Sequence, residues 1–229
     1  MNKKLIITID GPSGVGKSTL SKLLAQELGY LNLDTGAMYR ALALAAFRAQ
    51  IDSQDDTALE KLCNATHISF EHIGDTERVL LNGEDVSELI RTPQISMLTA
   101  EVAANRAVRQ AMVKRQRELA VEGGVVLEGR DIGTVVFPHA EVKIFLVASS
   151  EVRGRRRFLE LQARGMETDL ARTVSDVEAR DLADYSRDIS PLRKADDAVV
   201  IDTSELSIRE TLEHILAFVE QKQSQLTEG

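Results

Sequence analysis

The sequence predicts an α/β fold in which a parallel sheet of five strands is flanked by helices. Short runs rich in Val, Ile and Leu alternate with longer helical patterns, as they do in successive βαβ units. Each run is apolar at consecutive positions, which is typical of a strand that is buried on both faces. The predicted strands cover residues 5–9, 30–33, 125–127, 142–147 and 198–201.

The helices are predicted from apolar residues that recur at three- and four-residue spacing. The first helix carries Leu20, Leu24 and Leu28 on one face and should end at Gly29, because glycine adopts the left-handed conformation that stops a helix. A basic helix is expected after Ser149. Further helices are predicted over residues 37–50, 95–121, 170–183 and 207–221.

One region, residues 53–92, interrupts the alternation. Residues 67–71 and 78–81 have the pattern of strands, and Asn82-Gly83 is a strong signal for a two-residue hairpin turn. We therefore expect a small antiparallel insert in the core. It is either the place where a second substrate binds or a β-appendage without a role in binding, and the sequence leaves both open.

Composition limits the class of protein. The chain has 229 residues, of which 43% are hydrophobic, enough for one α/β core with an inserted subdomain. Its formal net charge of -8 disfavours nucleic acid and anionic membranes as partners, since both are polyanions. Cys63 is the only cysteine, so no intrachain disulfide can form. With no apolar run of membrane-spanning length, we expect a cytoplasmic protein.

The most informative motif lies between the first predicted strand and the first helix. It matches G-x-x-x-x-G-K-[ST] at every fixed position, and the strand–loop–helix context argues against a glycine-rich turn that only joins two elements. Lys17 would reach the β- and γ-phosphates of a nucleoside triphosphate, and Ser18 would bind Mg²⁺. The residues predicted to bind ATP here are Gly11, Pro12, Ser13, Gly14, Val15, Gly16, Lys17, Ser18 and Thr19.

A second cluster, residues 34–40, follows the second predicted strand. In open parallel sheets ligands bind at the carboxyl ends of the strands. Thr35 offers a hydroxyl group, and Arg40 lies one helical turn after Gly36, where it could hold a phosphate. The alternative is a helix N-cap at Asp34 or Thr35 with a solvated arginine, and the residues alone do not decide between the two.

A third cluster, residues 128–134, ends another predicted strand. Arg130 can bind a phosphate through two nitrogens, and Asp131 can accept a hydrogen bond from a base amino group or a ribose hydroxyl. The alternative is a surface ion pair between these two residues. Their place at the ligand edge of the sheet favours binding.

Two charged helical segments are further candidates. Arg180, Asp184 and Arg187 fall on one face if their helix persists, although such a face is often only solvated. The cluster after Ser149 contains Arg153, Arg155, Arg156 and Arg157. The acidic balance of the chain and the lack of interleaved aromatic residues disfavour nucleic acid, so we expect a lid that closes over triphosphate, with a solvated face as the alternative.

Several blocks together resemble those of the bacterial-type cytidylate kinases, which are P-loop nucleoside-monophosphate kinases. The most specific are Asp-Thr-Gly-Ala-Met-Tyr-Arg at 34–40 and Gly-Arg-Asp-Ile-Gly-Thr at 129–134, and the resemblance extends over nearly the whole chain. It implies transfer of the γ-phosphoryl group of ATP to CMP, and to dCMP, in pyrimidine nucleotide metabolism. Mg²⁺ would accompany ATP, and the enzyme would be a monomer.

The resemblance also implies roles for residues at matching positions. Lys17, Arg130 and Arg180 would be catalytic, and Arg153 and Arg157 would belong to the lid over ATP. Ala100 stands where some relatives have a serine that helps to bind cytosine; Thr99 or a water molecule could replace it. The residues implied in CMP binding are Thr35, Arg40, Arg109, Arg130, Asp131, Arg180, Asp184 and Arg187.

The domain organisation that follows has three parts. The P-loop core would comprise residues 1–34, 93–150 and 166–229, the monophosphate-binding region residues 35–92, and the lid residues 151–165. Gly165, which follows Arg164, would give the lid a flexible end.

Two other classes of function stay open from the motif alone. One is a P-loop kinase for another small acceptor, in which Glu128 or Asp131 could act as the base for an alcohol substrate. The other is a nucleotide-binding switch. A GTPase of that kind would carry an Asn-Lys-x-Asp motif, which the sequence lacks.

Overall fold

A computed structural model describes residues 4–73, 76–163 and 165–228; Arg164 of the predicted lid lies outside the described residues, as do residues 1–3 of the predicted core. The strands are β1 (Ile6–Asp10), β2 (Leu31–Asp34), β3 (Ile68–Ile73), β4 (Thr76–Leu81), β5 (Glu84–Asp85), β6 (Val125–Gly129), β7 (Val142–Val147) and β8 (Val199–Asp202). The helices are α1 (Lys17–Leu28), α2 (Thr35–Arg48), α3 (Asp56–Ala65), α4 (Pro93–Ala104), α5 (Arg106–Leu119), α6 (Ser150–Ala163), α7 (Leu170–Tyr185) and α8 (Ile208–Glu228).

Contacts within the chain divide it into two units. The first comprises Met1–Asn32 and Glu122–Gly229, and the second comprises Leu33–Val121. Helices α4 and α5 therefore group with the second unit, whereas the sequence assigned them to the core. The functional division into a core, a monophosphate-binding region and a lid stays a prediction.

The five-stranded parallel sheet confirms the predicted fold class. Its strand order is β2-β6-β1-β7-β8, with β1 paired in parallel to both β6 and β7. Apolar side chains of the central strands, among them Ile7, Ile9 and Leu146, are fully buried between the helices. The carboxyl end of β1 lies beside that of β6, with Asp10 opposite Gly129, so the segments that follow these strands leave the sheet at the same edge.

Glycine sets both ends of α1. Gly16 precedes the helix with φ of 100°, and Gly29 follows it with φ of 64°. At the second end the N–H of Tyr30 donates to the carbonyl oxygen of Ala25, which satisfies one of the carbonyl groups that a helix end leaves open. The predicted stop at Gly29 is confirmed.

The second unit is built around the apolar helix α2. Residues such as Met38 and Leu42 of this helix pack with Leu59 of α3 and Val79 of β4. Strands β3, β4 and β5 form an antiparallel sheet, as predicted for the insert.

The Asn82-Gly83 turn joins β4 to β5. Leu81 stands opposite Glu84 in the pairing, and both turn residues have positive φ, 51° at Asn82 and 86° at Gly83. The turn signal was correct. The connection between β3 and β4 falls on residues 74 and 75, which are not described.

Two predicted helix boundaries are wrong. The pattern over residues 95–121 forms two helices, α4 and α5, divided at Asn105. The Asn105 side chain accepts hydrogen bonds from the N–H groups of Ala107 and Val108, so it caps α5 where a continuous helix was expected. The last helix, predicted to end at residue 221, continues to Glu228. In the part of the chain that the structure describes, no helix has an apolar stretch long enough to cross a membrane.

Candidate active site

The loop of residues 11–18 joins β1 to α1 with the backbone expected of a phosphate cradle. Gly11, Gly14 and Gly16 have φ of 151°, 74° and 100°, which residues with side chains rarely adopt. A Cβ atom at Gly11 would also collide with the carbonyl oxygen of Leu146. The loop leads into the N-terminus of α1, where the N–H groups and the helix dipole favour an anion.

Lys17 is the first residue of α1 and is buried. Its Nζ donates a hydrogen bond of 2.6 Å to the carbonyl oxygen of Pro12 in the loop. Burial lowers the pKa of Lys17 well below its usual value, and the positive charges of Arg130 and Arg180 lower it further. These three cations are close enough to repel one another, and a highly charged anion among them would relieve that repulsion.

Two buried carboxylates lie near the same amine. Glu128 on β6 and Asp10 on β1 both favour the charged form of Lys17. The Asp10 carboxylate accepts hydrogen bonds from the N–H groups of Ile132 at 2.9 Å and Gly133 at 2.7 Å. Asp10 therefore connects the strand before the phosphate cradle with the segment that follows β6.

That segment carries Arg130 and Asp131. Asp131 is 5% exposed and directly precedes a π-helical turn, Ile132–Val136. The Nε atom of Arg130 donates to Oδ2 of Asp184 at 2.6 Å. Arg130 is thus held by a residue of α7, 54 positions further along the chain.

Helix α7 brings the charged segment of Arg180, Asp184 and Arg187 to Arg130. It ends at Tyr185, so Arg187 lies beyond the helix and not on its face, yet Arg187 forms an ion pair with Asp184. The Asp184 side chain is 7% exposed and contacts both Arg130 and Arg187. Arg180, one turn before Asp184, is exposed and acts electrostatically on Lys17. The structure therefore groups all of these residues in the first unit.

The arginines of α6 differ from one another in their surroundings. Arg153 is buried: its guanidinium group donates to the carbonyl oxygens of Ala148 and Ser13 and pairs with Asp181 of α7 at 2.6 Å. Ser13 belongs to the phosphate cradle. Arg153 is therefore part of the support of that loop.

Arg156 and Arg157 lie about one helical turn after Arg153 on α6. Arg156 donates to the hydroxyl and carbonyl oxygens of Thr203, whose hydroxyl contacts the carbonyl oxygen of Val15 in the cradle. Arg157 is exposed and pairs with Glu160 at 2.8 Å. The first two turns of α6 are thus anchored by Arg153 and Arg156, and Arg157 is exposed beside Glu160. A role for α6 as a lid stays a prediction.

The second unit holds the other predicted acceptor residues. Asp34 caps α2, because its side chain accepts from the N–H of Ala37 at 2.8 Å. The same carboxylate pairs with Arg40 at 2.7 Å, so the predicted cap is real and the arginine is held beside it. Thr35, the first residue of α2, is buried.

Arg109 lies on α5 and is 4% exposed. Its guanidinium carbon stands 5.6 Å from the centre of the Tyr39 ring, and Nη1 donates to the carbonyl oxygen of Ala103 at 3.4 Å. On α4, the hydroxyl of Thr99 donates to the carbonyl oxygen of Ile95 and keeps its lone pairs for accepting a further hydrogen bond. Ala100, next to it, is exposed.

Sequence reasoning missed Asp10 and Asp181. Asp10 ends a buried strand directly before the cradle, and this position is the signal by which the sequence could have indicated it. Asp181 follows Arg180 and looked like part of a solvated helix face. Its partner Arg153 lies 28 positions away, and no pattern in the sequence links the two.

Taken together, the fold and this site define an α/β P-loop nucleotide-binding protein with the cations of a phosphotransferase at its phosphate cradle. The model of the cytidylate kinase family matches residues 7–221, and the chain belongs to that family.

Individual relatives agree with this assignment. The chain is 58% identical over 223 residues to the cytidylate kinase of Syntrophotalea carbinolica, covering 97% of this chain and 95% of that protein. It is 53% identical over 225 residues to the cytidylate kinase of Citrifermentans bemidjiense, covering 98% and 97%. A solved structure of an uncharacterized protein from Eubacterium ventriosum aligns with a TM-score of 0.51 and 13% identity over 96% of this chain and 99% of that chain, a likeness of fold alone.

Proposed function

We propose that this protein transfers the γ-phosphoryl group of ATP to the phosphate of CMP, and of dCMP, giving ADP and CDP or dCDP. Relatives named cytidylate kinase, at 47–58% identity over nearly the whole chain, support the reaction and its acceptor. The observation that carries the proposal is the convergence of Lys17, Arg130 and Arg180, which provides positive charge where two anionic substrates would meet.

This reaction requires the protein mainly to position the two substrates and to neutralise their negative charge. The nucleophile is an oxygen of the CMP phosphate, whose second pKa is about 6, so it is already ionised at neutral pH. A general base is therefore not needed. The transferred phosphoryl group spreads negative charge over its oxygens, and Lys17, Arg130 and Arg180 would stabilise that charge.

The residues assigned to ATP lie in the first unit. The loop N–H groups would surround the β-phosphate, and Lys17 would move from the carbonyl oxygen of Pro12 to the γ-phosphate. Arg157 has the exposure that a lid residue requires. Arg153, which donates to Ser13, would act on ATP through the cradle.

The assignment to CMP follows the charge of each group. Arg40, Arg130, Arg180 and Arg187 would hold the phosphate, and Asp184 would accept from the ribose hydroxyls. Cytosine presents an amino donor at position 4 where uracil presents an oxygen, so the carboxylate of Asp131 would accept from cytosine and repel uracil. Arg109 would also contact the base, and Thr35 would contribute its hydroxyl.

Mg²⁺ is proposed as the ion that accompanies ATP. Ser18 fits this role, because it is an exposed residue on the first turn of α1, beside the cradle, and Mg²⁺ prefers hard oxygen donors such as its hydroxyl. Within the described residues no group of three or more Asp, Glu, His or Cys side chains forms a metal cage. The ion would supply charge neutralisation at the β- and γ-phosphates, and Ser18 would orient it. We further propose a cytoplasmic monomer.

A coupled assay of ADP release tests the proposal. Purified protein with MgATP is offered CMP, dCMP, UMP, AMP and GMP in separate reactions. We expect release of ADP that depends on the acceptor and is fastest with CMP or dCMP. Release without any acceptor, or with another monophosphate in preference, would contradict the proposal.

A further inference from the structure

Asp10 has no part in the phosphate-binding motif, yet its carboxylate is among the most enclosed polar groups of the first unit. It is the last residue of β1, 4% exposed, and both of its oxygens accept backbone hydrogen bonds. Oδ1 accepts from Ile132 and Oδ2 from Gly133, at 2.9 and 2.7 Å. An ionised carboxylate accepts from both N–H groups at once, one at each oxygen, whereas an amide of the same size has a single acceptor oxygen.

The geometry around these two N–H groups is tight. A Cβ atom at Gly133 would stand 3.0 Å from the hydroxyl of Thr8 and 3.3 Å from Oδ2 of Asp10. The bonded segment therefore packs closely against β1 and leaves little room for a side chain at Gly133. Burying a carboxylate is unfavourable unless its oxygens are hydrogen-bonded. The buried Asp10 carboxylate therefore depends on the N–H groups of Ile132 and Gly133 and fixes where they lie.

The bonded N–H groups directly follow Asp131. On its other side, the carbonyl oxygen of Asp131 accepts from the N–H of Val135 at 2.9 Å and from that of Val136 at 3.2 Å. The carbonyl oxygen of Asp131 is thus hydrogen-bonded within the π-helical turn, and the side chain of Asp10 holds the start of that turn to β1. Few backbone rotations are left to Asp131 that would keep these four hydrogen bonds.

We propose that Asp10 is a positioning residue for acceptor specificity: by holding the N–H groups of Ile132 and Gly133, it places the Asp131 carboxylate against the base of the acceptor. The proposal rests on the proposed function, in which Asp131 reads cytosine. In this role Asp10 would contact neither substrate and would act on base selection through Asp131, whereas its charge near Lys17 would affect both acceptors alike.

Asp10→Asn is the variant that tests this, because the amide keeps the shape but offers one acceptor and turns an NH₂ group toward a backbone N–H. Asp202→Asn is the matched control: Asp202 also ends a core strand and accepts from a backbone N–H, that of Ser204, but is exposed. Initial rates are measured with CMP and with UMP at saturating MgATP. The KM for ATP is measured separately.

For Asp10→Asn we expect kcat/KM for CMP to fall about tenfold or more, the effect of one lost hydrogen bond to a charged group. The value for UMP should fall much less, and the KM for ATP should change by less than about threefold, since the cradle keeps its own contacts. Asp202→Asn should leave all three unchanged. An equal fall for CMP and UMP, or wild-type kinetics, would overturn the proposal.

A measurement on the wild-type protein covers the case in which Asp10→Asn does not fold. The amide NMR signals of Ile132 and Gly133 should shift with pH along the same curve as the carboxyl carbon of Asp10. If the amide chemical shifts of Ile132 and Gly133 do not follow the titration of the Asp10 carboxyl carbon, the positioning role is overturned. If the wild-type enzyme does not use CMP, the proposed function is overturned, and the base-selecting role of Asp10 with it. The NMR titration still tests the hydrogen bonds of Asp10, because it does not depend on the substrate.

Discussion

Arg153 of α6 and Asp181 of α7 form an ion pair of 2.6 Å whose side chains are only 6% and 13% exposed. Arg153 also donates to the carbonyl oxygen of Ser13, 140 positions earlier in the chain. One guanidinium group thus joins the phosphate cradle to the helix that carries Arg180 and Asp184. A basic residue that the sequence grouped with a mobile segment is part of the framework of the site.

Replacing Arg153 should therefore reduce stability. Arg153→Gln leaves the buried Asp181 carboxylate without its cation, and we expect the free energy of unfolding to fall by about 3 kcal/mol. Arg157→Gln is the matched control, because Arg157 forms an exposed pair with Glu160 and should cost less than about 1 kcal/mol. Urea denaturation followed by circular dichroism measures both. Equal losses for the two variants would show that burial of the Arg153 pair has no consequence.

Binding of MgATP should be accompanied by proton uptake at Lys17. Burial and the neighbouring Arg130 hold the pKa of Lys17 well below its usual value, and the triphosphate would raise it. Calorimetry in buffers of different ionisation enthalpy, over a series of alkaline pH values, reports the uptake apart from the titration of the phosphates, whose pKa is about 6. In Lys17→Met we expect neither this uptake nor appreciable turnover. The same uptake in both proteins would assign the proton to another group.

Asp10 should make the stability of the protein depend on pH in a characteristic direction. Burial raises the pKa of its carboxyl group from 3.8 to about 6, although the N–H groups of Gly133 and Ile132 and the charge of Lys17 oppose this; Asp131 adds to it. The folded state therefore holds this proton to higher pH than the unfolded chain. The resulting stabilisation is complete below pH 3.8 and is lost as the pH rises through about 6.

The size of this contribution follows from the shift, about 3 kcal/mol for roughly two pKa units. We expect the free energy of unfolding of the wild type to fall relative to that of Asp10→Asn between a pH of about 4 and a pH of about 7. The difference between the two proteins cancels the titration of the other carboxylates. A difference that does not vary with pH would contradict the raised pKa of Asp10.

Asp131→Ala should weaken the use of CMP far more than the use of UMP. In the proposed role the carboxylate would attract the amino group of cytosine and repel the carbonyl oxygen of uracil, and losing that match would cost about 1–3 kcal/mol. Steady-state kcat/KM values for both acceptors measure it. Asp196→Ala, a change in an exposed loop before β8, should alter neither. An equal loss for CMP and UMP would remove Asp131 from base recognition.

Local rules were enough to predict the core. The runs of Val, Ile and Leu predicted every strand of the parallel sheet, and the spacing of Gly11, Gly16 and Lys17 predicted the cradle between β1 and α1. These predictions succeed because each depends on residues that are neighbours in the chain. The missed break between α4 and α5 has a local cause as well. At Asn105 a side chain satisfies the N–H groups of α5, and this local capping outweighs an apolar periodicity that continues across the break.

The charged residues of the site were harder to predict because their partners are distant in sequence. The pattern around Arg153 is that of a solvated basic helix, and only the fold shows that Asp181 and Ser13 surround it. In the same way the sequence did not show that Asp184 contacts Arg130 and Arg187, and its role toward the ribose stays a prediction. Periodicity gives the face of a helix but not what the rest of the chain places against it.

This protein is expected to phosphorylate a cytosine monophosphate in preference to other acceptors. One competition measures this preference: equimolar CMP, dCMP, UMP, GMP and ¹⁵N-labelled AMP share a limiting amount of MgATP, and mass spectrometry identifies the diphosphates formed at early times. We expect CDP and dCDP to form first and ADP to be unlabelled, because it derives from the donor alone. Early formation of UDP, GDP or ADP from added AMP in preference to CDP and dCDP would contradict it.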